Sequence, residues 1–169
     1  MTMVENTSKS AVQNGLIIGA IISLNVLISA LKIPVLSSFS ILISIGIVVY
    51  LYFMTKKHRD QEGDGFLTFG QAFKYLFKVY FLGAIIGSLV LLIFTLMHKE
   101  FIADLINQTM MLYDKMNIPV DDATYNLLMV FFNPFSFALM NLFGGAIKGA
   151  FWGLILAAFL KKEKSIFEE

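Results

Sequence analysis

The sequence contains no cysteine, which excludes disulfides, thiolate metal sites and cysteine nucleophiles and leaves the redox compartment open. Charge is scarce. Asp, Glu, Lys and Arg make up 15% of the 169 residues, against roughly 25% in a soluble domain. With 57% hydrophobic residues and a mean hydropathy of +0.75, the chain is too apolar for an ordinary soluble domain or a disordered tail. The 13 basic and 12 acidic residues leave a net charge of +1, so no polyanion partner is implied and nucleic-acid binding is not expected. There are two histidines, His58 and His98. HExxH, GxSxG, a Walker loop and paired intramembrane aspartates are all missing, so neither an enzyme nor a metal or cofactor is expected. The nearest catalytic-looking cluster, His58-Arg59-Asp60, reads as a solvated charge run in a mobile loop.

What the sequence has is long uncharged stretches. Residues 10–31, 33–55 and 79–98 carry no charge, and 135–160 is interrupted only by Lys148. A helix needs about 20 apolar residues to cross a hydrocarbon core, and lipid leaves a spanning segment no other partners for its backbone polar groups. The expected fold is all-α: a single integral membrane domain over 1–169, with spans at about 11–31, 34–54, 75–98 and 135–160 and an outer helical segment at about 99–132. The first stretch reads as a retained helix rather than a signal peptide. Glu5 accompanies Lys9, the apolar run is too long, and no convincing A-x-A site follows.

Basic residues orient the spans. With the N-terminus cytoplasmic, Lys9, Lys56, Lys57, Arg59, Lys74, Lys78, Lys161, Lys162 and Lys164 lie inside, and Lys32, Lys99 and Lys115 lie outside. Both termini are therefore expected in the cytoplasm. The inner basic flanks read as topology determinants that could also attract anionic headgroups.

Between the spans, Lys32-Ile33-Pro34 predicts a tight hairpin. Residues 56–67 predict a polar, glycine-containing turn, and Thr68 with Gln71 has capping-box spacing for a helix starting near Phe69. Residues 99–133 have helical period with one apolar face, broken at Asn117-Ile118-Pro119. Asp121 or Asp122 can cap a second short helix. This is a helix-turn-helix lying on the outer leaflet or folded over the bundle mouth. Its five acids match no EF-hand loop and read as a solvated face.

Small residues recur at four-residue spacing: Gly15 and Gly19 in the first span, Gly83 and Gly87 in the third, and Gly145, Gly149 and Gly153 in the fourth. In lipid such faces allow close backbone approach, the main attraction available between helices. Pairing within one chain is favoured over pairing between chains. The second span carries Ser37, Ser38, Ser40 and Ser44 instead.

Lys148 needs an explanation. It lies 12 residues before Leu160, roughly 18 Å from the inner end, near the midplane. Lysine there costs about 2.5–3.5 kcal/mol on insertion scales. Its place beside Gly145 and Gly149 points it into the bundle. By the same rise Asn25, Ser44 and Ser88 fall at similar depth, which predicts a mid-membrane polar layer of Lys148, Asn25, Ser44 and Ser88. No span holds a carboxylate to pair with the amine. The layer reads either as a proton-linked or anion site or as polar glue for the bundle.

Several stretches resemble a known family. They are Lys57-His58-Arg59-Asp60, the run Gly65-Phe66-Leu67-Thr68-Phe69-Gly70-Gln71-Ala72-Phe73-Lys74, the glycine-rich last span ending Leu160-Lys161-Lys162-Glu163-Lys164, and the outer helix-turn-helix. Together they resemble the small bacterial inner-membrane proteins of the domain-of-unknown-function family forty-one ninety-nine, over essentially the whole chain. The resemblance implies a four-span membrane protein and brings no activity, ligand or catalytic residue. Lys148 departs from the usually apolar position there. The sequence favours a structural or assembly component of the inner membrane, with the bilayer and a membrane protein or a second copy as partners. The alternative is a small transporter or channel subunit using the polar layer around Lys148. A closed, dry bundle would support the first and a cavity reaching Lys148 the second.

Overall fold

The computed structural model describes residues 3–30 and 34–163. The fold is all-α, with six helices among the described residues: α1 Met3–Ala30, α2 Pro34–Glu62, α3 Phe69–Met97, α4 Lys99–Lys115, α5 Asp122–Phe131 and α6 Pro134–Leu160. Four are long and apolar enough to cross a membrane, over Lys9–Ala30, Ser38–Glu62, Phe69–Met97 and Pro134–Leu160. Pro34 opens α2; Lys32 and Ile33 of the expected hairpin, and Lys164 of the basic tail, lie outside the described residues.

Helix α3 is the centre. It packs on α1 along one side and on α6 along the other, while α2 rests mainly on α1 and has only a few close backbone approaches to α3 and α6. The share of each span that is buried follows this order: 39% for α3 and 22–28% for the others. Glycines set both α3 seams. A Cβ at Gly15 or Gly19 would meet Leu82 or Ile86, and one at Gly83 or Gly87 would meet Ile18 or Ile22, at 2.5–2.6 Å. Numbers rise together, so α1 and α3 run parallel. Across the other seam Gly145 faces Ala84, Gly149 faces Tyr80 and Gly153 faces Phe73; numbers run oppositely, so α3 and α6 are antiparallel. Small faces permit this approach because only a hydrogen stands between backbone and neighbour.

The start of α1 and the end of α6 share one face of the bundle, here the terminal face. The polar turn expected over 56–67 is shorter than that: α2 continues to Glu62. It stays helical because Met54, Thr55 and His58 are buried. The turn that remains uses Gly65 at φ +80°, where a side chain would be strained. Thr68 and Gln71 then form a capping box: the Gln71 N–H donates to Thr68 Oγ1 and the Thr68 N–H to Gln71 Oε1. Leu67 and Lys162 exchange two backbone hydrogen bonds of 2.8 Å, tying the tail after α6 to this turn.

On the opposite face α4 and α5 form the amphipathic pair. Asn117, at φ 52°, makes the break between them, and Asp121 caps α5 by accepting the Thr124 N–H at 2.8 Å. The pair does not seal the bundle. Only Ile102 is buried in α4 and nothing in α5, while Met111, Leu112, Met116, Leu127 and Val130 are exposed.

Candidate functional site

The weak hold on α2 leaves a cleft of about 260 Å³ to which α1, α2, α3 and α6 all contribute. Asn25, Ser44, Asn141 and Lys148 line it, set among Ile47 and the amphipathic rings of Tyr80 and Trp152. Asn25 is the hub of the α1–α2 side. Its Nδ2 donates to Ser44 Oγ at 3.0 Å, its Oδ1 accepts from Ser40 Oγ, and its carbonyl accepts from Ser29 Oγ at 2.8 Å. Ser44 Oγ in turn donates to the Ser40 carbonyl.

The single layer expected from depth divides in two. Ser88 is not part of the cleft wall; it is buried in the α3–α6 seam and donates to Asn141 Oδ1 at 3.1 Å. Asn141 therefore joins the two groups, which the depth argument missed. The signal was available: Asn141 stands seven residues, two helical turns, before Lys148 and so on the same face. The direction expected for Lys148 also changes. It is exposed at the cleft instead of enclosed by the bundle, and it makes no hydrogen bond or ion pair among the described residues. The reason is that α2 does not close over α6. The amine is thus the strongest unmatched group in the cleft, and it can serve an anion or a carbonyl oxygen as donor.

A second polar site lies at the terminal face, where α1, α2 and α3 meet. Tyr75 Oη is within 2.9 Å of Ser10 Oγ and accepts from Asn14 Nδ2, also at 2.9 Å; Tyr50 Oη donates to Asn14 Oδ1 at 3.2 Å. The Tyr75 ring stacks on His58, with centroids 4.0 Å apart and planes parallel within 1°. His58 is buried, and its Nδ1 lies 3.1 Å from Glu62 Oε2 but off hydrogen-bonding geometry. This overturns the reading of His58-Arg59-Asp60 as a solvated loop. His58 points inward from a helix, Arg59 Nη1 donates to the Leu160 carbonyl at 3.3 Å, and only Asp60 is exposed. The i, i+4 spacing of His58 and Glu62 was the legible hint.

No cluster of three or more His, Cys, Asp or Glu suited to a metal occurs among the described residues.

The family model for the protein of unknown function DUF4199 matches residues 13–162. No curated protein and no solved structure matches the chain. The match covers most of the chain, so this protein, with four helices long and apolar enough to cross a membrane, belongs to the DUF4199 family.

Proposed function

We propose that this DUF4199 member binds a small anionic or carbonyl-bearing solute in the cleft between α2 and α6, as a small transporter or channel subunit rather than an enzyme. One observation carries the reading: Lys148, with no ionic partner among the described residues, is exposed in a cleft that also presents Asn25 from α1, Ser44 from α2 and Asn141 from α6. An ionisable side chain inside a membrane span, exposed in a cleft, is by default a candidate for a solute or ion pathway. The volume, about 260 Å³, lies just below the range of drug-sized pockets and suits a small solute. The proposed setting is the bacterial cytoplasmic membrane with both termini inside, from the nine-to-three basic bias.

The absence of cysteine makes the test clean. Lys148→Cys and Ser44→Cys should react readily with a membrane-impermeant thiol reagent, and Ile147→Cys, 71% exposed on the adjacent face, should not. Equal, slow labelling of all three would overturn the reading, and the side from which reagent arrives tests the orientation.

Assembly with a second copy or another membrane protein is the second reading. The observation behind it is that α2 is held mainly by α1 and leaves Ile41, Leu42, Ile45 and Val49 exposed, so a neighbour could complete its packing. Crosslinking through Gly46→Cys, a position with nothing within 4 Å of an added Cβ, tests it.

A further inference from the structure

The α1–α2 seam opens again at the terminal face, into a pocket of about 580 Å³. Its rim carries Lys9 from α1 and Lys57 from α2, both exposed. Gln13 and Gln61 add exposed amide donors. Deeper along the same wall come Phe53 and Tyr50, four and seven residues before Lys57, hence about 6 and 10 Å further into the membrane. Phe53 is 60% exposed. Ser10 and Asn14 line the α1 side with their polar groups bonded to Tyr75 and Tyr50, so along α2 the wall grades from the cationic Lys57 to the exposed ring of Phe53.

That gradient matches one class of ligand. An anionic phospholipid presents a phosphate at headgroup level and hydrocarbon directly beneath it. One acid, Glu62, shares the wall, with its Oε2 buried 3.1 Å from His58 Nδ1. Lys9 and Lys57, both exposed, outnumber that one carboxylate and leave the rim net cationic. The site is also confined to this seam, because the glycine contacts close α3 against α1 and α6.

We infer that the pocket between α1 and α2 at the terminal face is a binding site for an anionic phospholipid, its phosphate between Lys9 and Lys57 and an acyl chain beside Phe53. The lipid fills a seam that protein side chains leave open, and so holds α2 on α1. The inference is independent of the solute cleft, which shares no lining residue with this pocket.

The test uses the full-length protein in a neutral detergent, titrated with phosphatidylglycerol or phosphatidylcholine and read by native mass spectrometry. Phosphatidylglycerol should bind in preference to phosphatidylcholine. Its affinity should fall roughly 5-fold on Lys9→Gln or Lys57→Gln and about 30-fold on both, at about one headgroup contact per lysine. Lys99→Gln with Lys115→Gln removes the same charge from the opposite face and should leave affinity unchanged. Equal loss in both pairs would reduce the effect to net charge and overturn the site. Displacement of bound lipid by millimolar inorganic phosphate alone would also overturn it, by making free phosphate the ligand. Should the double lysine variant fail to fold, Gln13→Leu with Gln61→Leu replaces it, with a smaller loss expected and an unchanged affinity counting against the site.

Discussion

The two seams that α1 makes are built on different chemistry. Against α3, beyond the Ser10 and Asn14 contacts with Tyr75, it presents Gly15 and Gly19 to Leu82 and Ile86 and receives Gly83 and Gly87 under Ile18 and Ile22, and the seam is closed: Ile18 and Val79 are fully buried. Against α2 it presents Asn25 and Ser29 to Ser40 and Ser44, and the seam gapes into pockets on both sides. The difference follows from what lipid allows. Apolar helices gain little from hiding apolar surface in hydrocarbon, so tight packing needs small residues, and a seam without them is held by hydrogen bonds. Hydrogen bonds fix register without filling volume. The glycine seams make the scaffold, and the polar seam leaves room for a ligand.

The largest expected effect comes from filling the scaffold seam. A Cβ at Gly83 would sit 2.6 Å from Ile18 Cγ2 and 3.2 Å from the Gly19 backbone nitrogen, which cannot rotate away. Gly83→Leu should cost about 3 kcal/mol, the upper part of the overpacking range, measured by denaturant titration in mild detergent. Gly46→Leu, on the open side of α2, should stay within about 0.5 kcal/mol of wild type. Equal costs would break the distinction between seams.

Next is Tyr75→Phe. It keeps the ring that stacks on His58 and removes only the hydroxyl shared with Ser10 and Asn14. With Asn14 Nδ2 losing a part-buried acceptor, the expected cost is about 1–2 kcal/mol. Ser44→Ala should cost less, about 0.6 kcal/mol, the mean for an interhelical hydrogen bond in a bilayer. It should also leave unfolding cooperativity unchanged. A Ser44→Ala cost above that of Tyr75→Phe would show that the α1–α2 hydrogen bonds contribute more than those between α1 and α3 at the terminal face.

The spans were legible because lipid forces a single choice: a long uncharged run must be a helix. The glycine seams were legible for a related reason, since four-residue spacing fixes a face whatever the neighbour is. The capping box was legible because Thr68 and Gln71 need no third element. What was lost depends on rotation and partners. The depth of Lys148 follows from helix rise alone, but its exposure depends on whether α2 closes over α6, and no local pattern records that. Ser88 and Asn25 share a depth yet lie on different seams. His58 was misread because its stacking partner, Tyr75, comes from the next helix, and three polar residues in a row look the same whether or not one is covered.

The smallest effect lies outside both seams and serves to isolate them. The Asp121 carboxyl is held below the ordinary aspartate range by hydrogen bonds from the Thr124 hydroxyl and backbone N–H at the start of α5. The carboxylate is the form that accepts these bonds. The cap is therefore complete at any pH above the usual aspartate range and is lost as pH falls through the lowered value. Amide exchange at Thr124 and Tyr125 should accelerate on acidification, while exchange along α3 beside Gly83 and Gly87 stays slow, because residues 15–22 of α1 and 79–87 of α3, which form the seam there, include no carboxylate. Asp121→Asn keeps an acceptor at the cap and should abolish the acid dependence at Thr124 without loosening α5 at neutral pH. If acid instead loosened α3 together with α5, the amphipathic pair would be part of the scaffold, and the division between a closed glycine core and loosely attached outer elements would have to be redrawn.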